Sequence, residues 1–350
     1  MIETSTLREQ TAAESMTDCI RRAVCGEALT MADMRLAVEA IVDGEATPAQ
    51  IGALLAALAT RGETADELAG AAAALRDRMV AVQCARAPVL DVCGTGGDRS
   101  GSFNISTAVA FVAAGAGATV AKHGNRAMSS RCGSADVLSA LGVRIDAPPA
   151  TSARALDEIG IAFLFAQAHH PAMRAVAPAR REIGIRSIFN LVGPLANPAR
   201  AARQVVGVAD GRAVRTVAEA LRRLGSERAA AVRGVDGMDE VSLSGPTIVV
   251  EWTGSQIVEY EIDPAALGLT RRAVPALRGG DAEENAGIVR AILAGRAGAH
   301  RDVVALNAAL ALVVAGIAND LHDGLRRAAA SIDSGAAAAK LAGLVSITTS

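Results

Sequence analysis

Two short segments of the chain carry the residue types that bind anions. Residues 94–98 read Gly-Thr-Gly-Gly-Asp, and residues 122–126 read Lys-His-Gly-Asn-Arg. Glycines let a backbone bend with positive φ and bring its N–H groups against a ligand, while lysine and arginine add positive charge. Amides and cations that converge in this way form an anion site, and the pattern favours a phosphate group, most simply that of a polyphosphate.

The elements around these segments would bring them together. Each segment follows a short apolar run, residues 88–92 and 118–121, that is typical of a buried strand. The first loop leads into a helix that begins near Ser106, so the positive end of the helix dipole would point to the same place. Because parallel sheets bind ligands at the carboxyl ends of their strands, both loops are expected at one edge of the sheet.

Polar residues next to the two loops leave two interpretations open. Residues 102–107 contain two serines, a threonine and an asparagine, which could cap the helix or contact a phosphate oxygen or a magnesium ion. The polar run 122–130 could be a solvated loop, but its position directly after a strand favours ligand binding. Ser134 opens the next predicted helix, where it could cap that helix and also face an anion.

Two adjacent carboxylates, Asp239 and Glu240, follow the predicted strand 229–232. Adjacent acids are usually part of a solvated turn. Magnesium, however, prefers a few carboxylates together with water and substrate phosphates. Since a polyphosphate ligand needs such an ion to neutralise its charge, the sequence favours a metal site here.

Arg180 could bind a carboxylate of a second ligand, because the guanidinium fork matches a carboxylate in bidentate fashion. It is predicted on a helix opened by His170 and Pro171, and the alternative is a surface pair with Glu182. The neighbouring His169 and His170 could relay a proton or merely line a cleft. The sequence shows no nucleophile with an adjacent base and no dinucleotide motif, so the expected catalysis is electrostatic rather than covalent.

Charge and composition exclude several classes of protein. With 35 basic and 37 acidic residues the net charge is −2, which offers no general surface for nucleic acid. Five cysteines without C-x-x-C spacing indicate reduced thiols in the cytosol. The first residues lack the basic and apolar regions of an export signal, and the apolar run 303–318 is too short to span a bilayer. A cytoplasmic protein without a membrane partner is therefore expected.

The chain divides into two regions by its periodicity. Residues 1–82 are predicted to be helical, with capping signals at Thr47 and Thr64. From residue 88 short strands alternate with helices, which predicts an α/β fold with a mostly parallel sheet flanked by helices and an antiparallel hairpin at its edge. The predicted strands are 89–92, 119–121, 143–145, 162–165, 205–208, 229–232, 248–252 and 256–261. The predicted helices are 134–141, 152–159, 212–224, 281–294, 302–318, 320–332 and 334–344.

Taken together, these segments resemble the anthranilate phosphoribosyltransferase family over most of the chain from residue 88 to about 318. The resemblance is carried by GTGGDRSGSFNIST (94–107), KHGNRAMSSRCGSADVLSALG (122–142), RREIGIRSIFNLVGPLANP (180–198), GVDGMDEVSLSGPT (234–247) and LRGGDAEENA (277–286). This set is far more specific than a single glycine loop. One departure is Arg131-Cys132, where the family often has Lys-Ser. Neighbouring cations and a helix N-terminus would make the Cys132 thiol reactive, whereas burial would make it inert.

The resemblance implies transfer of the phosphoribosyl group of 5-phosphoribosyl 1-diphosphate to the amine of anthranilate, a step of tryptophan biosynthesis. It also implies Mg²⁺, two ions per subunit, and a homodimer formed through helical domains. The implied fold is that of class III pyrimidine nucleoside phosphorylases. A small helical domain (1–84), completed by helices around 170–195, would join a large α/β domain (85–350) that binds the donor.

Carried over position by position, the resemblance implies three sets of site residues. The donor would contact Gly94, Gly97, Asp98, Ser102, Asn104, Ile105, Ser106, Thr107, Lys122, His123, Gly124, Asn125, Arg126, Ala127, Met128, Ser129, Ser130 and Ser134. Anthranilate would contact Gly94, Asn125, His170 and Arg180. Magnesium would be held by Ser106, Asp239 and Glu240. No residue is assigned as acid, base or nucleophile, although Lys122 and His123 could act in catalysis.

The sequence leaves two alternative functions. A nucleoside phosphorylase would share the fold and the glycine-rich loop, but it has no use for the acidic pair or for an arginine that faces a carboxylate. A non-catalytic relative that binds nucleic acid would carry a basic surface and would have lost the acceptor and metal motifs. The near-neutral charge and the intact motifs disfavour the second alternative.

Overall fold

The computed structural model describes residues 15–127 and 131–350. Its α-helices are α1 (residues 15–24), α2 (Met31–Val42), α3 (Pro48–Arg61), α4 (Ala65–Arg78), α5 (Ile105–Gly115), α6 (Ser134–Ala140), α7 (Pro149–Ile159), α8 (Ala166–His169), α9 (Ala177–Ile183), α10 (Ile188–Val192), α11 (Val214–Arg223), α12 (Ala282–Leu293), α13 (Ala299–Val314), α14 (Leu321–Asp333) and α15 (Ala336–Thr349). Short 3₁₀ helices cover Pro171–Arg174, Gly193–Leu195, Gly211–Ala213, Pro264–Leu267 and Val274–Leu277. The strands are β1 (Val89–Gly94), β2 (Thr119–Gly124), β3 (Ile161–Phe165), β4 (Arg203–Gly207), β5 (Arg228–Gly234), β6 (Thr247–Trp252) and β7 (Ile257–Ile262).

The N-terminal helices begin where the sequence predicts. Thr47 and Thr64 each accept a hydrogen bond from the amide three residues later, and the side chains of Gln50 and Glu67 bond back to the cap amides. These capping boxes satisfy amides that a helix start would leave unpaired. Thr30 caps α2 in the same way, a start that the sequence analysis did not single out.

The seven strands form one sheet in the order β3-β2-β1-β4-β5-β6-β7. The strands from β3 to β5 are parallel, and β6 and β7 add an antiparallel hairpin at one edge. This confirms the predicted fold class. Strand order runs outward from β1 in both directions, so the crevice beside the carboxyl end of β1 is the place where such sheets bind ligands.

One predicted strand is wrong. Residues 143–145 form no strand, because the chain there ends α6. Gly142 adopts a φ of 95°, and the Val143 amide donates to the Leu138 carbonyl, 3.0 Å away. Val143 and Ile145 are nevertheless buried in the core, so packing rather than sheet pairing explains their apolar character.

The segment 171–195 differs from the prediction in its local structure. His170 and Pro171 open a 3₁₀ helix rather than the helix of Arg180, which begins at Ala177. Gly184, with a φ of 62°, then ends α9. Val176, Ile188 and their neighbours up to Ala196 share an apolar cluster with α1–α4.

Alternate residues of the strands supply two separate cores. Val205 and Ala230 belong to the cluster that packs against α5 and α13, whereas Val206 and Ala231 belong to the cluster with the N-terminal helices and α11. This follows from the two-residue period of a strand. Most of the apolar run at 303–318 lies in the buried helix α13, which begins at Ala299 and ends at Val314, four residues before the predicted end. Within the described parts of the chain, no helix is both long and apolar enough to cross a membrane.

Candidate active site

The glycine-rich loop follows β1 and packs against the acidic segment after β5. Gly96 and Gly97 adopt φ values of 67° and 80°, which glycine reaches without strain. The Gly96 amide donates a 2.8 Å hydrogen bond to Oδ2 of Asp239. A Cβ atom on Gly94, the last residue of β1, would collide with that same carboxylate. The loop therefore has the shape that lets an acidic side chain reach the strand ends.

The acidic pair connects the glycine-rich loop to the start of α5. Oε1 of Glu240 accepts a 3.2 Å hydrogen bond from the Ser106 amide in the first turn of that helix. Asp98 lies close enough to Asp239 for its charge to act on it. Burial, and then the charge of a neighbouring carboxylate, raises the pKa of both Asp239 and Glu240. Because a divalent cation would relieve this repulsion, the pair fits a metal ion.

Among the described residues, no group of three histidine, cysteine, aspartate or glutamate side chains has the arrangement of a closed metal site. The predicted third ligand, Ser106, is close to the pair through its backbone amide.

Lys122, at the end of β2, approaches the same helix start from the other side. Its Nζ donates to the Val92 carbonyl at 2.7 Å and to Oγ of Ser106 at 3.1 Å. Only 4% of the residue is exposed. Two strand ends, a helix N-terminus, an ammonium group and two carboxylates thus meet in one place.

Asn104 does not cap α5 with its side chain. Its Nδ2 donates to the Cys132 carbonyl at 3.2 Å, and its Oδ1 accepts from Nδ2 of the buried Asn285 at 2.9 Å. Ser102, two residues before Asn104, forms a β-bridge with Arg278. These residues join the loops of three sequence-distant motifs.

The segment after β2 folds back on α6. Oγ of Ser134 donates to the Asn125 carbonyl at 3.3 Å instead of capping the helix. Asp136 takes the capping role, accepting from the amides of Ala127 and Gly133, and it also pairs with Arg126. Of the predicted donor contacts, Met128, Ser129 and Ser130 lie outside the described residues.

Cys132 is buried, and burial raises the pKa of its thiol. A raised pKa keeps the thiol protonated at neutral pH. Of the two alternatives for this thiol, burial therefore favours the inert one.

His123 and His170 form an aromatic pair, with ring centroids 5.2 Å apart. Burial lowers the pKa of both, to about 4 for His170, so both rings are neutral at physiological pH. Within the described part of the chain, neither buried Nε2 atom has a hydrogen-bond partner. The contact places His170, which is predicted to contact anthranilate, against His123 near the end of β2. Neither histidine forms a relay with His169, whose Nδ1 lies 2.7 Å from the Val80 carbonyl.

Arg180 lies on α9, with its guanidinium carbon 5.8 Å from the centroid of the Phe189 ring and Nη2 3.5 Å from Oδ1 of Asn190. Burial lowers its pKa, and no carboxylate among the described residues offsets that effect. Among the described residues, Arg180 therefore forms no ion pair with Glu182, the alternative that the sequence left open. A partly buried guanidinium without a counter-ion suits an anionic ligand.

The sequence analysis missed Arg186, which lies over the glycine-rich loop. Its Nη2 donates to the Gly96 carbonyl at 3.4 Å, and a Cβ atom on Gly97 would lie 3.4 Å from its Nη1. The signal was weak because Arg186 is one of several arginines in a polar segment. Only the fold brings it to the loop, 90 positions earlier in the chain.

The geometry at the strand ends can hold a polyphosphate and a divalent cation. Comparisons with known proteins show which family has this fold and these motifs. Residues 86–338 match the model of the glycosyl transferase family a/b domain, and residues 17–79 match its helical bundle domain. The anthranilate phosphoribosyltransferase of Anaeromyxobacter dehalogenans is 56% identical over 324 residues, 93% of this chain and 96% of the relative. That of Azorhizobium caulinodans is 53% identical over 324 residues, 92% of this chain and 93% of the relative.

Solved structures show the same similarity. The crystal structure of anthranilate phosphoribosyltransferase from Thermus thermophilus is 43% identical, with a TM-score of 0.90, and the match covers 95% of this chain and 100% of that one. The enzyme from Saccharomyces cerevisiae, in complex with PRPP and Mg, is 25% identical with a TM-score of 0.87, covering 96% and 98%. Its fold, its motifs at the strand ends and its relatives together make this chain a member of the anthranilate phosphoribosyltransferase family.

Proposed function

We propose that this protein transfers the phosphoribosyl group of 5-phosphoribosyl 1-diphosphate to the amine of anthranilate. The products are N-(5-phosphoribosyl)anthranilate and diphosphate, as tryptophan biosynthesis requires. The observation that carries the proposal is the meeting of the glycine-rich loop, the start of α5, Lys122 and the acidic pair at the carboxyl ends of β1 and β2. The membership of the family supports the choice of substrates.

We assign donor binding to the two loops and the helix start between them. The amides of residues 94–98 and of the first turn of α5 would donate to the diphosphate, in the manner of other phosphate-binding loops. Lys122, already held against Ser106, would add a positive charge beside them. The polar atoms at Ser102, Asn104, Thr107 and 122–127 would complete this subsite.

The acidic pair would hold Mg²⁺, and two ions per subunit form part of the proposal. When bound, the ion would neutralise charge on the diphosphate leaving group. The pair fits this role because burial and the charge of neighbouring carboxylates oppose its ionisation, and a cation would relieve that repulsion. Asp239 and Glu240 would also hold the glycine-rich loop and the start of α5 in place through their hydrogen bonds.

We assign the carboxylate of anthranilate to Arg180, with Asn125 and the neutral ring of His170 lining the acceptor subsite. The arginine would orient the acceptor rather than activate it. An aromatic amine is a weak base and is largely unprotonated at neutral pH, so no strong general base is needed. Catalysis would depend on stabilising the negative charge that develops on the leaving diphosphate, through Lys122 and the loop amides.

The proposal also covers the domains, the oligomeric state and the location of the protein. The helical domain would comprise residues 1–84 completed by the segment around 170–195, and the domain that binds the donor would comprise residues 85–350. The protein would form a cytoplasmic homodimer through its helical domains. Val24 and Leu36, which are 69% and 53% exposed on α1 and α2, support an interface there.

A fluorescence assay for phosphoribosylanthranilate tests the proposal. Purified protein with both substrates and magnesium should form the fluorescent product, and chelation of the metal should stop the reaction. Absence of product with and without added magnesium, from a protein shown to be folded, would overturn the proposed function.

A further inference from the structure

β1 and β2 stop pairing before their carboxyl ends. The register between them ends at Leu90 and Val120. β1 nevertheless continues beside β4 as far as Gly94, and β2 continues beside β3 as far as Gly124. The central strands therefore separate at the edge of the sheet where the two loops begin.

Two buried polar side chains occupy the gap, and both are 0% exposed. Oδ1 of Asp91 accepts a 3.1 Å hydrogen bond from the His123 amide, and its Oδ2 accepts a 2.8 Å bond from Nδ2 of Asn197. The same Nδ2 donates to the Ala121 carbonyl at 2.8 Å. We call this arrangement the Asp91–Asn197 bridge. It replaces direct backbone pairing by hydrogen bonds that pass through a side chain, and the inserted side chains keep the two strands apart.

Lys122 lies between the two β2 residues that the bridge holds. Its Nζ crosses the gap to the Val92 carbonyl and to Oγ of Ser106. A buried ammonium is costly unless a negative charge accompanies it. Burial raises the pKa of the Asp91 carboxyl group, and the nearby positive charge of Lys122 opposes that rise. The bridge therefore holds the β2 residues on both sides of the cation at the donor subsite.

We propose that Asp91 and Asn197 are positioning residues for donor binding, an inference that rests on the proposed function. Both side chains are fully buried and act on the site through the residues that they hold. The bridge separates the ends of β1 and β2, holds residues 121–123, and so fixes the Lys122 ammonium beside the start of α5. Precise placement of a charged group is what a binding site for a polyanion requires.

The test compares substrate binding in the wild type and in Asp91→Asn. Calorimetry measures the affinity for 5-phosphoribosyl 1-diphosphate with magnesium, and steady-state kinetics measures the KM of each substrate. The variant should bind the donor at least about 10-fold more weakly, which is about 1.4 kcal/mol. The KM for anthranilate should stay within about 2-fold, because the bridge lies on the donor side.

Glu67→Gln is the matched control. Glu67 is also a fully buried carboxylate that joins two elements, accepting from the amides of Leu29 and Thr64, but it lies among the N-terminal helices. A loss of thermal stability without a change in donor affinity is expected for this variant. The comparison separates a general effect of removing a buried charge from an effect on the donor subsite.

Asn197→Ser provides a second variant if Asp91→Asn does not fold. A hydroxyl donates one hydrogen bond, whereas the Asn197 amide donates to two acceptors. Donor affinity within about 2-fold of the wild type, in whichever of the two variants folds, would overturn the inference. If the wild type itself forms no phosphoribosylanthranilate, the proposed function fails instead, so the two failures are distinguishable.

Discussion

Asp239 and Glu240 place two carboxyl groups where burial, and then the charge of a neighbouring carboxylate, opposes ionisation. In such a site a divalent cation contributes more than it would between solvated acids, because it removes an existing repulsion. The same two side chains bond the glycine-rich loop and the start of α5. Metal binding and the shape of the donor subsite are therefore coupled at these two residues.

The double variant Asp239→Asn/Glu240→Gln should lose turnover while it keeps its fold. Loss of the metal's electrostatic stabilisation should lower kcat/KM by about 100-fold or more. Without metal its melting temperature should equal or exceed that of the wild type, because the repulsion is gone. Kinetics and thermal melts with and without magnesium check both statements.

Asp236→Asn is the control for this prediction, since Asp236 belongs to the same loop but bonds Ser242 and Ser244. Magnesium should raise the melting temperature of Asp236→Asn as much as it raises that of the wild type. Magnesium-dependent activity in the double variant close to that of the wild type would show that the metal lies elsewhere.

Arg180→Ala should mainly weaken the use of anthranilate. The planar carboxylate loses its bidentate partner, so the KM for anthranilate should rise about 10- to 100-fold, in line with 1.5–3 kcal/mol for hydrogen bonds to charged groups. Donor affinity should change little. Steady-state kinetics and calorimetry measure the two effects, and Arg181→Ala, at an exposed neighbouring position, is the control. Loss of donor binding with unchanged acceptor use would instead assign Arg180 to the phosphate subsite.

The sequence predicted the strands that carry the two loops, but it did not predict the contacts between distant loops. The runs before residues 94 and 122 predicted β1 and β2 correctly because each is a short apolar segment that ends in a polar loop. The hydrogen bond from Gly96 to Asp239 spans 143 positions, and no local pattern encodes such a contact.

The errors at the level of elements have local causes. Val143–Ile145 resembled a strand because a helix end that turns back into the core is also apolar over a few residues, and periodicity does not separate the two. His170 and Pro171 looked like a helix start, but the chain makes a 3₁₀ turn before α9 begins. Neither error changes the predicted location of the site at the carboxyl ends of β1 and β2.

The close approach of the acidic segment to the sheet depends on the glycine that ends β4. A Cβ atom at Gly207 would collide with the backbone carbonyl of Asp239, which cannot move aside as a flexible side chain can. Gly207→Ala should therefore cost about 1–3 kcal/mol of the free energy of unfolding and weaken magnesium-dependent stabilisation.

Denaturant unfolding with and without magnesium measures these losses. Gly287→Ala in α12 is the control, because a Cβ atom there meets nothing within 4 Å and alanine favours a helix. Equal stability of Gly207→Ala and the wild type would show that the acidic segment is not held against β4.

At the scale of the whole molecule, three buried histidines near the junction of the helical segment and the sheet make stability depend on pH. Burial lowers the pKa of His123, His169 and His170 in the folded protein. A group whose folded pKa is lowered below the unfolded value stabilises the protein above the unfolded pKa, and the contribution is lost as pH falls.

For His170 the window runs from the unfolded pKa near 6.5 to the folded pKa of about 4. The free energy of unfolding should fall by about 3 kcal/mol over this range from His170 alone. Denaturant titrations at several pH values should show a shallower fall for His170→Gln, while His322→Gln, at an exposed position of α14, should match the wild type. If the free energy of unfolding of His170→Gln fell with pH as steeply as that of the wild type, His170 would not be buried as a neutral ring.

The central claim is that 5-phosphoribosyl 1-diphosphate binds at the carboxyl ends of β1 and β2 with a metal on the acidic pair. A crystal structure of the wild type with this donor and magnesium, in the absence of anthranilate, tests it most directly. We expect the diphosphate within hydrogen-bond distance of Lys122 and the amides of residues 94–98, and a magnesium ion bound by Asp239 or Glu240. A donor ordered elsewhere, or one bound there with its metal on other side chains, would contradict the account.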